Sequence, residues 1–175
     1  VERLRKAHEA LRAAGFRSEI VSGGGTGTAF IDAEMGAFTE IQPGSYLFMD
    51  ADYRRPALWP GGVSLFAPSL FVRAHVISAN RPDLAVVNAG IKSFATDSGV
   101  PVVARGAPTD AVYKFMGDEH GGLVYANAGD ARVSVGDAVQ FVVPHCDPTV
   151  NLFDVYHCMR GDELVAIWPI DARGR

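Results

Sequence analysis

Apolar side chains recur along the first part of the chain at helical spacing. They occupy every third or fourth position, at Val1, Leu4, Ala7, Leu11 and Ala14. With charged residues between them, this spacing predicts an amphipathic helix that ends at Gly15. A short strand over 18–22, a glycine-rich loop, and a second helix from Ala29 to about Met35 follow. Strand, loop and helix in this order indicate an α/β segment.

The second part of the chain has a different pattern, made of short β-branched or aromatic runs separated by turn residues. These runs are 65–67, 71–78, 84–88, 100–104, 111–116, 122–125, 138–143 and 164–168. Regularly spaced short strands predict a β-sandwich or β-barrel. An earlier apolar run over 38–50 is broken at Pro43-Gly44, and the proline- and glycine-rich stretch 53–62 predicts a linker or an active-site loop.

The two patterns predict two domains, an α/β part over residues 1–42 and an all-β part over residues 43–175. An α/β segment this short cannot cover both faces of its own parallel strands. We therefore expect its missing strands and helices to lie upstream of Val1.

Composition and charge narrow the class of partner. The chain has 175 residues, with 48% hydrophobic and 21% charged residues, as in an ordinary globular protein. A formal net charge of -4 gives no reason to expect nucleic acid or an anionic membrane as a partner. No apolar run is long enough to cross a bilayer, so we expect a cytoplasmic location. Cys146 and Cys158 are expected to be reduced thiols, although a bridge between them stays open.

The glycine-rich loop Ser22-Gly23-Gly24-Gly25-Thr26 is a candidate phosphate site. Glycines allow the backbone to approach an anion, and the first amide groups of the following helix point towards it. No Lys-Ser/Thr pair follows, which excludes a Walker A loop, and a plain flexible turn is the alternative.

A histidine and an aspartate near the end of the chain, His145 and Asp147, form a candidate metal pair. If this segment is extended, residues two apart point to the same face, so that both side chains converge and Cys146 turns away. A polar turn that closes a hairpin is the alternative, because a pair at this spacing is a weak ligand signal.

Five separated motifs together resemble D-threonine aldolase and the related metal-activated D-serine dehydratases. They are Ser22–Thr28, Thr39–Asp50, Ala89–Asp97, Glu119–Gly121 and His145–Asn151, in the family's order. The resemblance implies the carboxy-terminal half of an alanine-racemase-type pyridoxal phosphate enzyme. The expected fold is therefore the last units of a (β/α)8 barrel followed by a β-sandwich or barrel-like domain.

The resemblance also implies which residues bind the cofactor. One group would contact the phosphate from the glycine loop, and a second group would contact the cofactor from the next segment of the resemblance. The first is Ser22, Gly23, Gly24, Gly25 and Thr26, and the second is Gly44, Ser45 and Tyr46. Gln42 would face the pyridine nitrogen, where racemases have an arginine. A neutral amide there makes the ring a weaker electron sink, and a strand residue facing solvent is the alternative reading of Gln42.

In the resemblance, His145 and Asp147 are the metal ligands. The aldolases have a carboxylate at the second position, whereas the dehydratases have a cysteine there and use zinc. Asp147 therefore favours an aldolase and a hard ion such as Mn or Mg, with zinc as the alternative if Cys146 turns inward. The metal would assist removal of the proton from the β-hydroxyl as the Cα–Cβ bond breaks, releasing glycine and an aldehyde.

The Schiff-base lysine that the resemblance requires lies earlier in the barrel than any lysine here. We expect Lys6 on an exposed helix face, Lys114 in a β-strand and Lys92 in a structural role. Residues 1–175 alone are therefore expected to be inactive.

Two alternative functions stay open. One is a zinc-dependent D-serine dehydratase-like lyase, and the other is a non-catalytic metal-binding β-domain. The expected partner is a small D-3-hydroxy amino acid, and the full-length protein is a candidate homodimer. Among the other histidines, His120 could lie near the active-site mouth and His157 near the metal, while turn and strand positions are the simpler accounts.

Overall fold

The computed structural model divides the chain into two compact units. It describes residues 1–55, 60–62, 64–108, 110–126 and 133–174. The amino-terminal unit comprises Val1–Met49 and Tyr53–Ala67, and the carboxy-terminal unit comprises Asp50–Asp52 and Pro68–Arg175. The candidate linker over 53–62 lies partly outside the described residues. No helix in the described ranges is long and apolar enough to span a membrane.

The amino-terminal unit is built from short elements in the predicted order. They are helix α1 (Glu2–Ala13), strand β1 (Ser22–Gly23), helix α2 (Ala29–Met35), strand β2 (Glu40–Ile41) and two 3-10 turns, Ser45–Leu47 and Pro60–Gly62. Strands β1 and β2 pair in parallel, with Ser22 opposite Glu40. Both predicted helices are confirmed, and Gly36 ends α2 in a left-handed conformation.

One strand prediction in this unit is mostly wrong, since only Ser22 of the strand predicted over 18–22 lies in β1. The apolar run after Pro43-Gly44 forms a 3-10 turn. In that run the amide of Leu47 donates to Gly44 and the amide of Met49 donates to Ser45. These local hydrogen bonds use the backbone groups that a sheet ladder would need.

The carboxy-terminal unit contains a six-stranded antiparallel sheet with the order β5-β8-β3-β4-β7-β6. Its strands are β3 (Phe71–Ser78), β4 (Leu84–Val87), β5 (Val102–Arg105), β6 (Val112–Phe115), β7 (Gly121–Val124) and β8 (Ala138–Val142). A short helix α3 (Cys146–Val150) and an antiparallel hairpin of β9 (Val155–Arg160) and β10 (Glu163–Pro169) follow. Residues of β5 and β6, at opposite ends of the strand order, come within 8 Å of each other, so the sheet curls.

The core of this unit lies on one face of the curled sheet. Along β3, Ala74 and Val76 are buried while His75 and Ile77 are exposed, the alternation of a sheet with one packed face. An aromatic cluster completes the core with edge-to-face ring contacts: Phe94, Tyr113, Phe115 and Phe141. Such contacts stabilise a core beyond the burial of their area.

The structure confirms most of the predicted strands of the second part and differs at three places. No strand forms over 65–67. Strand β9 and helix α3 were not predicted, because neither Val155–Arg160 nor Cys146–Val150 carries a continuous apolar run. The all-β expectation holds as one curled sheet and a separate hairpin. The (β/α)8 barrel and the domain boundary after residue 42 stay predictions.

Candidate functional site

The candidate metal pair lies where the chain leaves the sheet. His145 has an extended backbone (φ -145°, ψ 129°) and is the N-cap residue of α3, while Asp147 lies in the first turn of that helix. Pro148 is tolerated there because an amide in the first turn has no intrahelical acceptor. The extended segment expected from the spacing is therefore wrong beyond His145, where a helical turn begins.

The imidazole of His145 lies between two carboxylates. Its Nδ1 is 2.5 Å from Oδ2 of Asp97, and its Nε2 is 3.3 Å from Oδ2 of Asp147. A carboxylate at Nδ1 fixes the orientation of the ring and leaves Nε2 as the ligand nitrogen, an arrangement common in metal sites. The pair predicted from the sequence is thus brought together, with Asp97 as an additional contact.

The carboxylates around His145 change its proton affinity. Burial lowers the pKa of His145, but the hydrogen bond to Asp97 and the charges of three nearby carboxylates outweigh burial, so its pKa lies above the usual value. The same hydrogen bond lowers the pKa of Asp97. The ring therefore sits in an electrostatic environment that favours a positive charge, which a proton or a cation can supply.

The donor atoms of the pair fit a divalent metal ion. In octahedral coordination at about 2.1 Å, neighbouring donors lie about 3 Å apart, close to the 3.3 Å between Nε2 of His145 and Oδ2 of Asp147. Carboxylate suits Mg²⁺ or Mn²⁺ and imidazole suits Zn²⁺, so the donor set fits a divalent ion without selecting one. Among the described residues no group of three or more His, Cys, Asp or Glu side chains gathers as a metal cluster. The fit is therefore to a two-ligand site, with the remaining positions left for water and substrate.

Cys146 lies between the two candidate ligands in sequence but is turned into the core. It is 3% exposed, and its amide donates to Oδ2 of Asp50 at 2.9 Å. Burial raises the pKa of the Cys146 thiol, and the nearby Asp50 carboxylate adds to the effect. Both cysteines are free, as predicted.

An open cavity of about 420 Å³ adjoins the candidate metal pair. Asp147 and Tyr156 lie in its wall, together with Arg173, the cationic side chain of the lining. Arg173 forms an ion pair with Asp154. Asp147, whose side chain is 80% exposed, therefore borders this cavity.

In the amino-terminal unit, a side-chain hydrogen bond joins the two predicted phosphate-contacting segments. Thr26 is 2% exposed, and its Oγ1 accepts a hydrogen bond from the amide of Tyr46 at 3.1 Å. This contact brings the Gly23–Thr26 loop beside the turn that begins at Gly44 and Ser45. All the residues of the predicted phosphate group therefore belong to two adjacent backbone segments.

The glycine loop has the backbone features of an anion site. Gly24 has φ +73°, and a Cβ at this position would lie 2.5 Å from Oδ2 of Asp32. The amides of Thr26 and Gly27 have no acceptor among the described residues. Amide donors that lack a protein acceptor are the groups that bind phosphate in such loops. The loop therefore fits the phosphate of a cofactor.

Gln42 is held at the edge of the same loop. Its Nε2 donates to Oγ of Ser22 at 2.7 Å, and Oγ of Ser22 donates to Oε1 of Glu40 at 2.6 Å. The side chain of Gln42 is exposed, so its role towards a pyridine nitrogen stays a prediction.

None of the lysines lies in a buried pocket. Lys6 pairs with Glu2 on the exposed surface of α1. Lys92 pairs with Glu119 and joins the motifs Ala89–Asp97 and Glu119–Gly121. Lys114 is exposed on β6.

The other histidines do not reach the candidate metal pair through any hydrogen bond or ion pair among the described residues. His120 and His157 are exposed, and Nε2 of His8 contacts the carbonyl of Ser18 at 2.8 Å. The exposed turn position of His120 fits the simpler account given for it.

Two functional contacts escaped the sequence reasoning. Asp97 lies 48 residues before His145, and Asp50 lies 96 residues before Cys146. Both aspartates end segments that carry the family resemblance, 89–97 and 39–50, and that position was the available signal.

Comparisons with known proteins show the family to which the chain belongs. A family model described as a putative serine dehydratase domain matches residues 69–159. This match spans more than half of the chain, and the chain belongs to that family.

The similar proteins include both aldolases and a dehydratase. A 3-hydroxy-D-aspartate aldolase of Paracoccus denitrificans (strain Pd 1222) is 38% identical over 178 residues, covering 100% of this chain and 45% of that protein. The crystal structure of D-threonine aldolase from Filomicrobium marinum matches with a TM-score of 0.85 and 38% identity over 97% of this chain and 45% of that one. A cysteine variant of a D-threo-3-hydroxyaspartate dehydratase in the metal-free form matches with a TM-score of 0.76 and 28% identity, over 95% and 48% of the two chains. The chain thus spans about half the length of the proteins it matches.

Proposed function

We propose that the chain is part of a pyridoxal phosphate- and divalent metal-dependent aldolase that cleaves D-3-hydroxy amino acids to glycine and an aldehyde. The observation that carries the proposal is the pairing of His145 Nε2 with Asp147, with Asp97 on the other ring nitrogen. The family to which the chain belongs includes lyases for such substrates.

In this proposal, backbone groups of the glycine loop hold the cofactor phosphate. The amides of Thr26 and Gly27, which have no acceptor in the described part of the chain, donate to it, and Gly24 supplies the positive φ of the loop. Thr26 and Tyr46 fix the second segment beside the loop. Gln42, held by Ser22, faces the cofactor ring.

His145 and Asp147 hold the metal, and Asp97 fixes the orientation of the His145 ring through its Nδ1 atom. When bound, pyridoxal phosphate supplies an electron sink for the carbanion left by Cα–Cβ cleavage, and the metal supplies a Lewis acid for the substrate hydroxyl. The cavity beside Asp147 admits the substrate, with Tyr156 in its wall. Overall, the hydroxyl loses a proton as the aldehyde forms, and Cα gains a proton to give glycine.

The choice of an aldolase over a dehydratase rests on Asp147. A carboxylate paired with an imidazole suits a hard ion such as Mn²⁺, whereas a thiolate would favour zinc. Cys146 is 3% exposed and hydrogen-bonded to Asp50, which supports the carboxylate as the second ligand.

We further propose that residues 1–175 are inactive without the rest of the protein. A Schiff-base lysine needs a sheltered site at the cofactor, and Lys6 and Lys92 are in surface ion pairs. Lys114 is exposed.

The test compares products of the full-length enzyme with Mn²⁺. D-Threonine is expected to yield glycine and acetaldehyde in equal amounts, and D-serine is expected to yield no pyruvate. Removal of the metal with EDTA is expected to stop the reaction, and Mn²⁺ to restore it. Pyruvate from D-serine, or activity that survives EDTA, contradicts the proposal.

A further inference from the structure

A three-residue segment far away in sequence holds the candidate metal turn. Residues Asp50–Asp52 belong to the carboxy-terminal unit, although the residues on either side of them do not. The amide of Ala51 donates to Val143 at 2.9 Å, and the amide of Asp52 donates to Pro144 at 3.3 Å. We name Asp50–Asp52 the strap.

The first residue of the strap, Asp50, contacts the candidate metal turn directly. Asp50 is completely buried, and its Oδ2 accepts a hydrogen bond from the amide of Cys146 at 2.9 Å. The Cys146 side chain is itself buried, with the residue 3% exposed, and the nearby Asp50 carboxylate helps to raise the pKa of its thiol. The backbone of Cys146 is therefore held by one buried side chain, and the thiol lies on the core side of the turn.

The backbone before Asp50 has a conformation that side chains rarely adopt. Met49 is completely buried and has φ +51°, the only positive φ of a non-glycine residue in the described part of the chain. A bulky residue in this region is strained, and such strain persists where the surroundings require it. The backbone that leads into Asp50 is therefore held in a conformation that its surroundings require.

We propose that Asp50 is a positioning residue that presents His145 and Asp147, and withholds Cys146, at the metal site. This inference rests on the proposed metal dependence and goes beyond it, because it names the residue that decides which of three adjacent donors face the metal. Without Asp50, the turn is free to rotate the Cys146 thiol outwards, and a soft donor favours zinc over manganese.

The experiment measures the dissociation constants of Mn²⁺ and of Zn²⁺ for EDTA-treated full-length protein. Asp50→Ala is expected to weaken Mn²⁺ binding about tenfold, and Zn²⁺ binding much less, so that the preference moves towards zinc by about tenfold. Adding Cys146→Ser to Asp50→Ala is expected to remove that change of preference. Asp50→Asn keeps an oxygen that accepts from the Cys146 amide and is expected to stay within about threefold of the wild type.

Val87→Ala is the matched control, because Val87 is also completely buried in this unit and has no contact with the turn by any hydrogen bond described. It is expected to lower the melting temperature and to leave the metal preference unchanged. The proposal is overturned if Asp50→Ala weakens the binding of both metals equally or of neither. It is also overturned if Asp50→Asn fails to restore binding, or if Val87→Ala changes the metal preference. A wild-type protein that binds neither metal contradicts the proposed function instead.

Discussion

The two units hold their candidate sites by different means. In the amino-terminal unit the phosphate loop is fixed by a few hydrogen bonds, and α1 buries no residue. Large apolar side chains such as Phe30 and Ile31 of α2 remain about half exposed, at 48% and 55%. In the carboxy-terminal unit the metal turn follows β8, whose Val139 and Phe141 are completely buried.

This difference teaches that the sites depend on the fold in different ways. Backbone amides bind an anion through the conformation of the loop itself. Two side chains that share one ion must be held to within a fraction of an ångström, which requires a packed support. Changes in the core should therefore affect metal binding, and changes in the loop should affect cofactor binding.

The largest expected effect is the loss of the aromatic core. Phe141 contacts Phe94 and Tyr113 edge-to-face at centroid distances of 5.7 and 5.4 Å. Phe141→Ala is expected to destabilise the full-length protein by about 3–5 kcal/mol in urea unfolding. Val112→Ala, at a position 62% exposed on β6, is the control and should cost less than about 1 kcal/mol. Equal costs would contradict the core described for this unit.

The next effect concerns Asp97, the carboxylate behind the proposed metal ligand His145. The charge of Asp97 orients His145 and raises the pKa of His145, and Asp97→Asn removes this charge. We expect Mn²⁺ binding, measured by titration at pH 8, to weaken about 10- to 100-fold. Because a proton competes with the metal for the ring, wild-type affinity should fall as the pH drops through the raised pKa of His145. The midpoint should move to lower pH in Asp97→Asn.

Asp137→Asn is the control for this change. Asp137 is an exposed aspartate of the same unit, whose Oδ2 accepts from the amide of Ser134 at 2.7 Å. Its Mn²⁺ affinity should match that of the wild type. If Asp97→Asn also matches the wild type, Asp97 does not support the ligand.

In the loop, Gly24→Ala should weaken cofactor binding and leave metal binding intact. The added Cβ meets the Asp32 carboxylate at 2.5 Å, and the positive φ adds strain of about 1–2 kcal/mol. We expect about tenfold weaker binding of pyridoxal 5'-phosphate in a fluorescence titration. Gly36→Ala also has a positive φ but meets no atom within 4 Å, so its cofactor affinity should be unchanged. A similar loss in both variants would mean that general strain, and not the loop, is responsible.

The smallest effect concerns a buried tyrosine of the core. The hydroxyl of Tyr113 donates to the carbonyl of Ala89 at 2.7 Å, and Tyr113→Phe should cost about 1 kcal/mol at pH 7. Burial raises the pKa of Tyr113 above its ordinary value, so the unfolded chain ionises first and wild-type stability falls as the pH rises above about 10. Tyr113→Phe does not lose stability in this way. The difference in free energy of unfolding between the two proteins should therefore be smaller at pH 11 than at pH 7, as measured by urea unfolding. A constant difference would mean that Tyr113 does not titrate in this way.

The sequence was sufficient for local features and insufficient for distant contacts. Helical spacing and a terminal glycine predicted α1 and α2, and β-branched runs predicted β3 and β4. Helix α3 was missed because Pro148 and a single turn leave no periodic pattern.

The candidate sites were likewise predictable where they depend on residues close in sequence. His145 and Asp147 stand out because they are close in sequence, and the glycines of the loop have an evident backbone role. Asp97 and Asp50 act through chain folding that brings together residues 48 and 96 positions apart. No local pattern encodes such contacts, since they depend on strand pairing and burial.

The most direct test of this account is Mn²⁺ binding to the full-length protein with Asp147→Ala. The variant is expected to lose about a hundredfold or more in Mn²⁺ affinity and most of the proposed aldolase activity. It should bind pyridoxal 5'-phosphate as the wild type does, because the phosphate loop does not use Asp147. Unchanged Mn²⁺ affinity, or loss of the cofactor in place of the metal, would contradict the assignment of Asp147 as a metal ligand.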